Sequence, residues 1–432
     1  GLVAGILFVG VRSLLALIAP LAVRFNIKKL AAAIAIPGAL LYALVSGASV
    51  PTLRAFLMIT IVLAAVLLDR RGISMRMVAW AAAVILIFQP ESLLGASFQM
   101  SFAAVIALIA VYEIVSVRAK KRRHEPRTFT RTVLLYIGGV ALTTLVAGLA
   151  TAPFAIYHFN RFALYGLAAN LIAVPVTALW IMPWAVAAFL LMPFGLESLA
   201  LTPMLWGIGV MTGAAQAVAH WPGAAVVLPA MPTSALVIVG LGLMWLCLWR
   251  RSWRYGGGAA VAAGMATLLF FKPPDILIDG EGKLTAVRLA SGQYTVTSLR
   301  RAKFTREVWM RRIGHEGGPL AWPAKAPSGD GTLRCDGLGC FYRTGGHTAA
   351  LVNHPAALLE DCRRAELIVS TVPVRAACPG PVRIVDRFDL WREGAHSIRF
   401  TASGIIVETV NGHRGKRPWV LRPKPAFARI RN

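Results

Sequence analysis

Val133 to Tyr157 reads VLLYIGGVALTTLVAGLATAPFAIY, a run without a single charged side chain. An apolar helix of about 20 residues crosses the hydrocarbon core of a bilayer. Inside lipid the backbone amides find no water, and a helix satisfies them within its own segment. This stretch therefore predicts a transmembrane helix, and with it an integral membrane protein.

Further apolar runs fill the first 271 residues. The longest, Phe162 to Leu196, exceeds one straight span and contains Pro175 and Pro183, so we expect it to cross once with breaks in the helix. We predict a polytopic α-helical membrane bundle over residues 1–271, with about nine to eleven crossings. The remaining candidate segments are 2–23, 30–50, 55–68, 77–89, 97–117, 198–219, 235–249 and 256–271.

Basic residues outnumber acidic residues along the whole chain. The sequence contains 45 Lys and Arg against 19 Asp and Glu, for a formal net charge of +26. Four loops are rich in Lys and Arg, at 24–29, 69–76, 118–123 and 250–254, and loops poor in both alternate with them. Because basic loops stay in the cytoplasm, the alternation predicts four cytoplasmic loops and a periplasmic location for the residues after Lys272.

The sequence pattern changes at Lys272. From there to Asn432, short apolar segments alternate with Gly, Pro and charged residues, which is typical of strands and turns. Ala356 to Arg364 follows Pro355 and predicts a helix. We expect residues 272–432 to form a soluble, basic α/β domain. The predicted strands are 276–278, 284–289, 294–299, 349–352, 367–369, 382–385, 398–400 and 405–410.

Four of the five cysteines lie in this second half, at Cys335, Cys340, Cys362 and Cys378. Disulfides persist outside the cytoplasm, so we expect one or two of them here. Four cysteines allow three pairings, and free thiols or a metal site remain the alternatives. Cys335 and Cys340 have four residues between them rather than the two of a CxxC pattern, which disfavours metal.

Three segments of the membrane half stand out, VSGASVPTLRAF at 45–56, PESLLGASFQMSF at 90–102 and YGLAANLIAVP at 165–175. In order and spacing they resemble the ComEC family, the inner-membrane channel that imports single-stranded DNA during natural transformation. The resemblance implies a bacterial inner-membrane protein whose partners are single-stranded DNA, the lipid bilayer and other DNA-uptake proteins. The family also carries an N-terminal OB-like domain and further helices. Since this chain begins with Gly, we expect a fragment lacking that N-terminal part.

The same segments supply candidates for a DNA path. Arg54 stands at the mouth of an apolar helix, where a charge beside lipid is costly, so it either attracts phosphates or snorkels to the interface. Ser97, Gln99 and Ser101 bring hydrogen-bonding groups to one helix start, to line a polar path or to bond helix to helix. Asn170 lies near Pro175, whose missing N–H leaves a carbonyl for it to bond in a structural kink.

The soluble half occupies the place of the family's metallo-β-lactamase-like domain. Active members hold metal with an HxHxDH cluster, and no two of the eight His in this chain are two residues apart. The resemblance therefore implies a degenerate domain of this type, with no catalytic residue, metal or cofactor and with His347 and His354 as surface or capping residues. The alternative functions are a membrane-anchored metal-dependent hydrolase or nuclease with scattered ligands, and a small-molecule transporter.

A basic run with interleaved aromatic residues is the soluble half's candidate for contacting DNA. Single-stranded DNA is bound by cationic groups and by aromatic rings on which bases stack. The alternative is a solvated helix face. The candidates are Arg300, Arg301, Lys303, Phe304, Arg306 and Trp309, with Arg311 and Arg312 beyond them.

Overall fold

The computed structural model divides the chain into two compact units, Gly1–Leu269 and Phe270–Asn432. Parts of two predicted cytoplasmic loops, 70–73 and 122–127, and most of the C-terminal tail lie outside the described residues. The structure describes residues 2–18, 23–48, 50–69, 74–121, 128–315, 317–323, 328–374, 378, 383–415, 417 and 420.

The first unit is built from apolar helices. Within its described residues, five helical stretches are long and apolar enough to cross a membrane, and four shorter apolar helices accompany them. The helices are α1 (Leu2–Leu17), α2 (Ile27–Val45), α3 (Val50–Leu67), α4 (Met75–Phe88), α5 (Ala96–Lys121), α6 (Phe129–Phe159), α7 (Gly166–Val176), α8 (Met182–Leu191), α9 (Glu197–Ala219), α10 (Thr233–Leu248) and α11 (Tyr255–Ala266).

The long segment from 162 to 196 contains one irregular span. Gly166 to Phe194 forms a single candidate crossing, in which α7 and α8 are joined by a π-helical turn at Thr177–Ile181. Pro175 lies in the last turn of α7, where its missing N–H removes one bond of the helical ladder. The wider π turn follows directly, as expected where that ladder is interrupted.

Helices α10 and α11 form a hairpin with backbone-to-backbone contact. A Cβ placed on Gly257 would lie 2.5 Å from the carbonyl oxygen of Gly242, and one on Gly264 would lie 3.1 Å from that of Ala235. Small residues allow such close approach in membrane helices. Since Gly264 is near the end of α11 and Ala235 near the start of α10, α11 returns along α10 to the end where α10 began.

Within its described residues, the second unit, which corresponds to the predicted soluble half and is called the soluble unit below, contains two mixed sheets and four α-helices. Their strand orders are β13-β12-β3-β4-β5-β6 and β11-β10-β9-β8-β7. The short β1 (Arg161–Ala163) and β2 (Ala225–Val227) belong to the first unit. The others are β3 (Ile276–Ile278), β4 (Thr285–Arg288), β5 (Tyr294–Val296), β6 (Leu320–Ala321), β7 (Leu333–Cys335), β8 (Gly339–Thr344), β9 (His347–Val352), β10 (Leu367–Ser370), β11 (Arg383–Val385), β12 (His396–Thr401) and β13 (Gly404–Thr409), with α12 (Lys303–Ile313), α13 (Leu358–Arg364), α14 (Arg387–Glu393) and α15 (Val410–Arg414).

The two sheets pack face to face, with helices on their outer faces. Ile398 of the six-stranded sheet and Leu367 of the five-stranded sheet are fully buried in one shared core. Met310 of α12 packs on the outer face of the first sheet, and Leu358 of α13 packs on the outer face of the second. The unit is therefore a four-layer helix–sheet–sheet–helix sandwich, since each sheet buries both of its faces.

All eight predicted strands are present, and the predicted helix at 356–364 begins as a 3-10 turn, Pro355–Ala357, before α13. The sequence did not indicate β6, β7 or β8. The segment between Cys335 and Cys340 contains the turn of a β7–β8 hairpin, in which these two cysteines lie opposite each other. The sequence did not indicate β7 because this strand is short, and short strands carry little alternation of apolar and polar residues.

Candidate functional site

The helix bundle has a basic end and a polar end. At the basic end, Lys29 Nζ lies 2.6 Å from a carboxylate oxygen of Asp69, and Arg250 donates to Glu113 at 2.9 Å. The first ion pair joins the Lys- and Arg-rich loops 24–29 and 69–76, and the second joins the loop 250–254 to α5. At the opposite ends of α3 and α5 lie most of the path candidates, around Arg54.

Arg54 is a buried cation in the second turn of α3. Its side chain is 6% exposed, and its guanidinium donates a hydrogen bond to Ser97 Oγ. Its Nε–H has no partner, and none of the carboxylates in the described ranges forms an ion pair with it. An arginine side chain stays protonated at any physiological pH, so this position carries an uncompensated charge that an anion would stabilise.

A groove of about 450 Å³ runs from Arg54 between α3, α4 and α5. Ser101 lines the polar end of the groove together with Arg54. It is one helical turn beyond Ser97 and lies on the same face of α5, because residues four apart share a helix face. Ser74 lies at the other end. The rest of the wall of the groove is formed by Pro51, Ala55, Met58, Ile59, Ile61, Val62, Met77, Val78, Ala81, Phe102, Val105, Leu108 and Ile109.

Gln99 faces a different neighbour from the two serines. Its amide nitrogen donates to Leu93 O at 3.0 Å, and its carbonyl oxygen lies 2.8 Å from His158 Nε2, so the histidine is assigned the Nε2–H tautomer. Next to it, the hydroxyls of Tyr157 and Thr233 are 3.1 Å apart. Gln99 thus bonds α5 to α6. Sequence reasoning missed His158, although it closes a charge-free helix.

The end of α6 is shaped by Asn160. This residue adopts a left-handed backbone conformation with φ of 54°, which Asn tolerates better than most residues. Its side-chain nitrogen donates to Leu228 O at 3.3 Å, and the Leu228 N–H donates back to its carbonyl at 3.0 Å. The turn starts the antiparallel β1–β2 pair, in which Arg161 lies opposite Val227.

A second cavity, of about 540 Å³, opens between α5, α6, α7 and β1. It is more polar than the groove. Thr143 and Thr151 line it, and their hydroxyls donate to their own helix at 2.9 and 2.8 Å, which leaves both oxygens able to accept. Thr144, Arg161 and Asn170 complete its polar lining. Asn170 makes no side-chain hydrogen bond within the described part of the chain, so the structure gives it no bond to a carbonyl freed by Pro175.

The basic run of the soluble unit begins before α12 and continues along it. Phe304 is 76% exposed, whereas Trp309 packs against the core under the six-stranded sheet. Arg306 donates to Leu299 O, and Arg311 Nε donates to Glu307 O at 3.2 Å. Of the two candidate aromatic rings, Phe304 is therefore the one whose face is open to a base.

Two histidines of the soluble unit, His347 and His354, have structural partners. His347 Nδ1 lies 2.6 Å from a Glu366 carboxylate oxygen and its Nε2 lies 3.1 Å from Thr401 O, and these bonds raise its pKa. His354 Nδ1 accepts from Ala356 N at 3.2 Å and caps the turn before α13. Among the residues that the structure describes, no three His, Cys, Asp or Glu are grouped to hold a metal ion.

The four cysteines of the soluble unit form two disulfides, the first cysteine with the second and the third with the fourth. Cys335 bonds Cys340 across the β7–β8 hairpin, and Cys362 of α13 bonds Cys378. The indole N–H of Trp322 lies 3.0 Å from Cys340 Sγ. Cys247 of α10 is free.

Comparison with known protein families gives a match over most of the first unit. A family model described as "Competence protein" matches residues 1–253, which is more than half of the chain. The chain belongs to the ComEC family of competence proteins. It is 31% identical to ComE operon protein 3 of Bacillus subtilis (strain 168) over 150 residues, which are 35% of this chain and 17% of that relative. No solved structure matches the chain. The matched region of this ComEC-family chain contains Arg54, Gln99, His158 and both cavities.

Proposed function

We propose that this chain is the membrane part of a channel that imports single-stranded DNA across the bacterial inner membrane during natural transformation. The observation that carries the proposal is the polar cavity lined by Arg161, Asn170 and the threonines of α6, inside a unit of the ComEC family. A DNA strand crossing a bilayer needs a path that offers hydrogen bonds and positive charge, because lipid offers neither.

The chemistry of the cavity suits such a strand. Arg161 lies at the end of α6 and is exposed, so it can meet a phosphate before the strand enters. The interaction of Arg161 with the backbone is independent of base sequence. Threonine oxygens and the Asn170 amide then provide acceptors and donors for any base edge. Of the path candidates, Asn170 is the one that lines this cavity.

The soluble unit is proposed to receive the strand on the periplasmic side. Exposed Phe304, with the arginines around it, provides a ring for stacking and charge for the backbone. We assign the unit to a degenerate metallo-β-lactamase type that does not cleave DNA, on the basis of its four layers and of the missing HxHxDH pattern. Purified chain should leave single-stranded DNA intact in Mn²⁺ or Zn²⁺. Metal-dependent cleavage would favour the hydrolase alternative.

The proposed orientation has the polar end of the bundle in the periplasm. The positive-inside rule retains the Lys- and Arg-rich loops of the basic end in the cytoplasm, and α11 returns to the polar end. Alkaline phosphatase fused after Gly329 should be active, and the same reporter fused after Arg251 should be silent. The opposite result would reverse the orientation.

A cysteine block tests the path directly. Thr151→Cys places a thiol in the polar cavity, and a bulky methanethiosulfonate added to cells with the full-length gene should stop most uptake of labelled DNA. The matched control is Leu134→Cys on the same helix, whose side chain is 65% exposed and lines none of the cavities described. Membrane abundance is measured for both variants. Undiminished uptake by fully modified Thr151→Cys would exclude this cavity as the path.

A further inference from the structure

We infer that the groove along α3, α4 and α5 holds one anionic phospholipid, with its phosphate at Arg54 and an acyl chain along the apolar wall. The proposal goes beyond the DNA channel, whose path is assigned to the other cavity.

The charge at the polar end of the groove calls for an anion. Arg54 is almost fully buried and donates to Ser97, and its Nε–H remains without a partner. No carboxylate in the described ranges balances it. Ser101, one turn further along α5, adds a second hydroxyl beside the same end of the groove. A phosphate oxygen supplies the missing acceptor and the missing negative charge together.

The apolar wall of the groove indicates which kind of molecule carries the anionic group. Between Arg54 and Ser74 the lining side chains are aliphatic, aromatic or alanine, among them Met58, Val105 and Ile109. These groups offer no hydrogen bonds to the bases or sugars of a DNA strand, so a strand lying there would lose its hydration without replacement. A hydrocarbon chain loses nothing in such a groove and gains close contacts.

The dimensions agree with one lipid chain. The groove follows α3 from Pro51 to Val62, which at the helical rise is about 16 Å. Half of the hydrocarbon core, the depth of one leaflet, is about 15 Å. Arg54 lies within the first two turns of α3, close to the bilayer surface where lipid phosphates lie. The charge, the apolar length and the depth of the groove therefore match one phospholipid molecule.

The test is lipid retention by the purified chain. Protein in detergent is equilibrated with dioleoyl phosphatidylglycerol or with dioleoyl phosphatidylcholine, and bound lipids are counted by native mass spectrometry. Wild type should retain one phosphatidylglycerol more tightly than phosphatidylcholine. Arg54→Gln should weaken that retention roughly ten- to a hundredfold, because it removes a charge-assisted hydrogen bond. Arg12→Gln is the matched control, since it removes an exposed arginine of α1 that lines none of the described cavities.

A second variant tests the chain-binding part of the groove. Val105→Trp fills the groove without changing any charge, and it should also release the phosphatidylglycerol while an unchanged melting temperature shows that the protein is folded. Equal retention by wild type and Arg54→Gln would overturn the proposal, and so would tight retention by Val105→Trp. Displacement of the lipid by a single-stranded oligonucleotide would overturn it too and would assign Arg54 to the DNA path. None of these results depends on whether the Thr151→Cys block succeeds.

Discussion

The hairpin of α10 and α11 allows one glycine to be tested against its neighbour. A Cβ on Gly257 would lie 2.5 Å from Gly242 O and 2.6 Å from Leu246 N, whereas one on Gly258 meets nothing within 4 Å. Since carbon contacts are optimal at about 3.5–4.0 Å, Gly257→Ala must push the two helices apart by about 1 Å. Both obstructing atoms are backbone, so no side-chain rotation relieves the clash.

We expect Gly257→Ala to cost about 1–3 kcal/mol, the usual range for overpacking. Gly258→Ala should be neutral or slightly stabilising, because alanine is favoured over glycine in a helix by about 1 kcal/mol. At about 2–4 °C per kcal/mol for a large domain, the Gly257 variant should melt roughly 2–12 °C lower.

The assay follows the labelling of Cys247 by a thiol-reactive fluorophore during heating of the detergent-purified chain. Cys247 lies on α10, next to Leu246, and is free. Unfolding of the hairpin should therefore expose it to the dye. Equal melting temperatures for the two alanine variants would refute the backbone contact between α10 and α11.

Three further predictions concern the soluble unit. Bonds to Glu366 and Thr401 raise the pKa of His347 above its ordinary value of 6.5, so its stabilising effect should be complete below about pH 6.5 and be lost as pH rises through the raised pKa. His347→Gln should flatten the pH dependence of the denaturant midpoint, and an unchanged slope would contradict the bridge. Replacing both cysteines of the Cys362–Cys378 disulfide, which are 16 residues apart, should lower the free energy of unfolding by about 3 kcal/mol, against about 2 kcal/mol for Cys335–Cys340. The reason is that a disulfide closing a larger loop restricts the unfolded chain more. Urea unfolding of the two double-serine variants measures both losses, and a larger loss for the shorter loop would refute the prediction. Phe304→Ala should weaken binding of single-stranded DNA by about 1–3 kcal/mol, while Phe388→Ala, which lies on α14 outside the basic run, should leave the affinity in a gel-shift titration unchanged.

The residues proposed from the sequence for the DNA path show why the pattern within one segment does not predict a whole site. Ser97, Gln99 and Ser101 were predicted as one polar helix start, but the packed helices direct Ser97 to Arg54, Ser101 to the groove and Gln99 to His158. Asn170 lies at a different cavity altogether. Which helix lies opposite each side chain depends on how the helices pack, and residues 43 and 59 positions apart, as in these two bonds, carry no mutual signal in one sequence.

The features that the sequence determined by itself are those set by each segment's own chemistry. An uncharged run such as 133–157 must satisfy its amides internally wherever it lies in the bilayer, so its helix was predictable. The strands of the soluble half were predictable because short apolar segments there are separated by Gly, Pro and charged residues. Only the tertiary structure decided the rest. Within the described residues, it left Arg54 buried without a carboxylate partner, closed α10 on α11 through glycine backbones, and packed Trp309 against the core while leaving Phe304 exposed. Each of these depends on contacts between segments distant in the chain, because burial and pairing are properties of the packed molecule rather than of any residue in it.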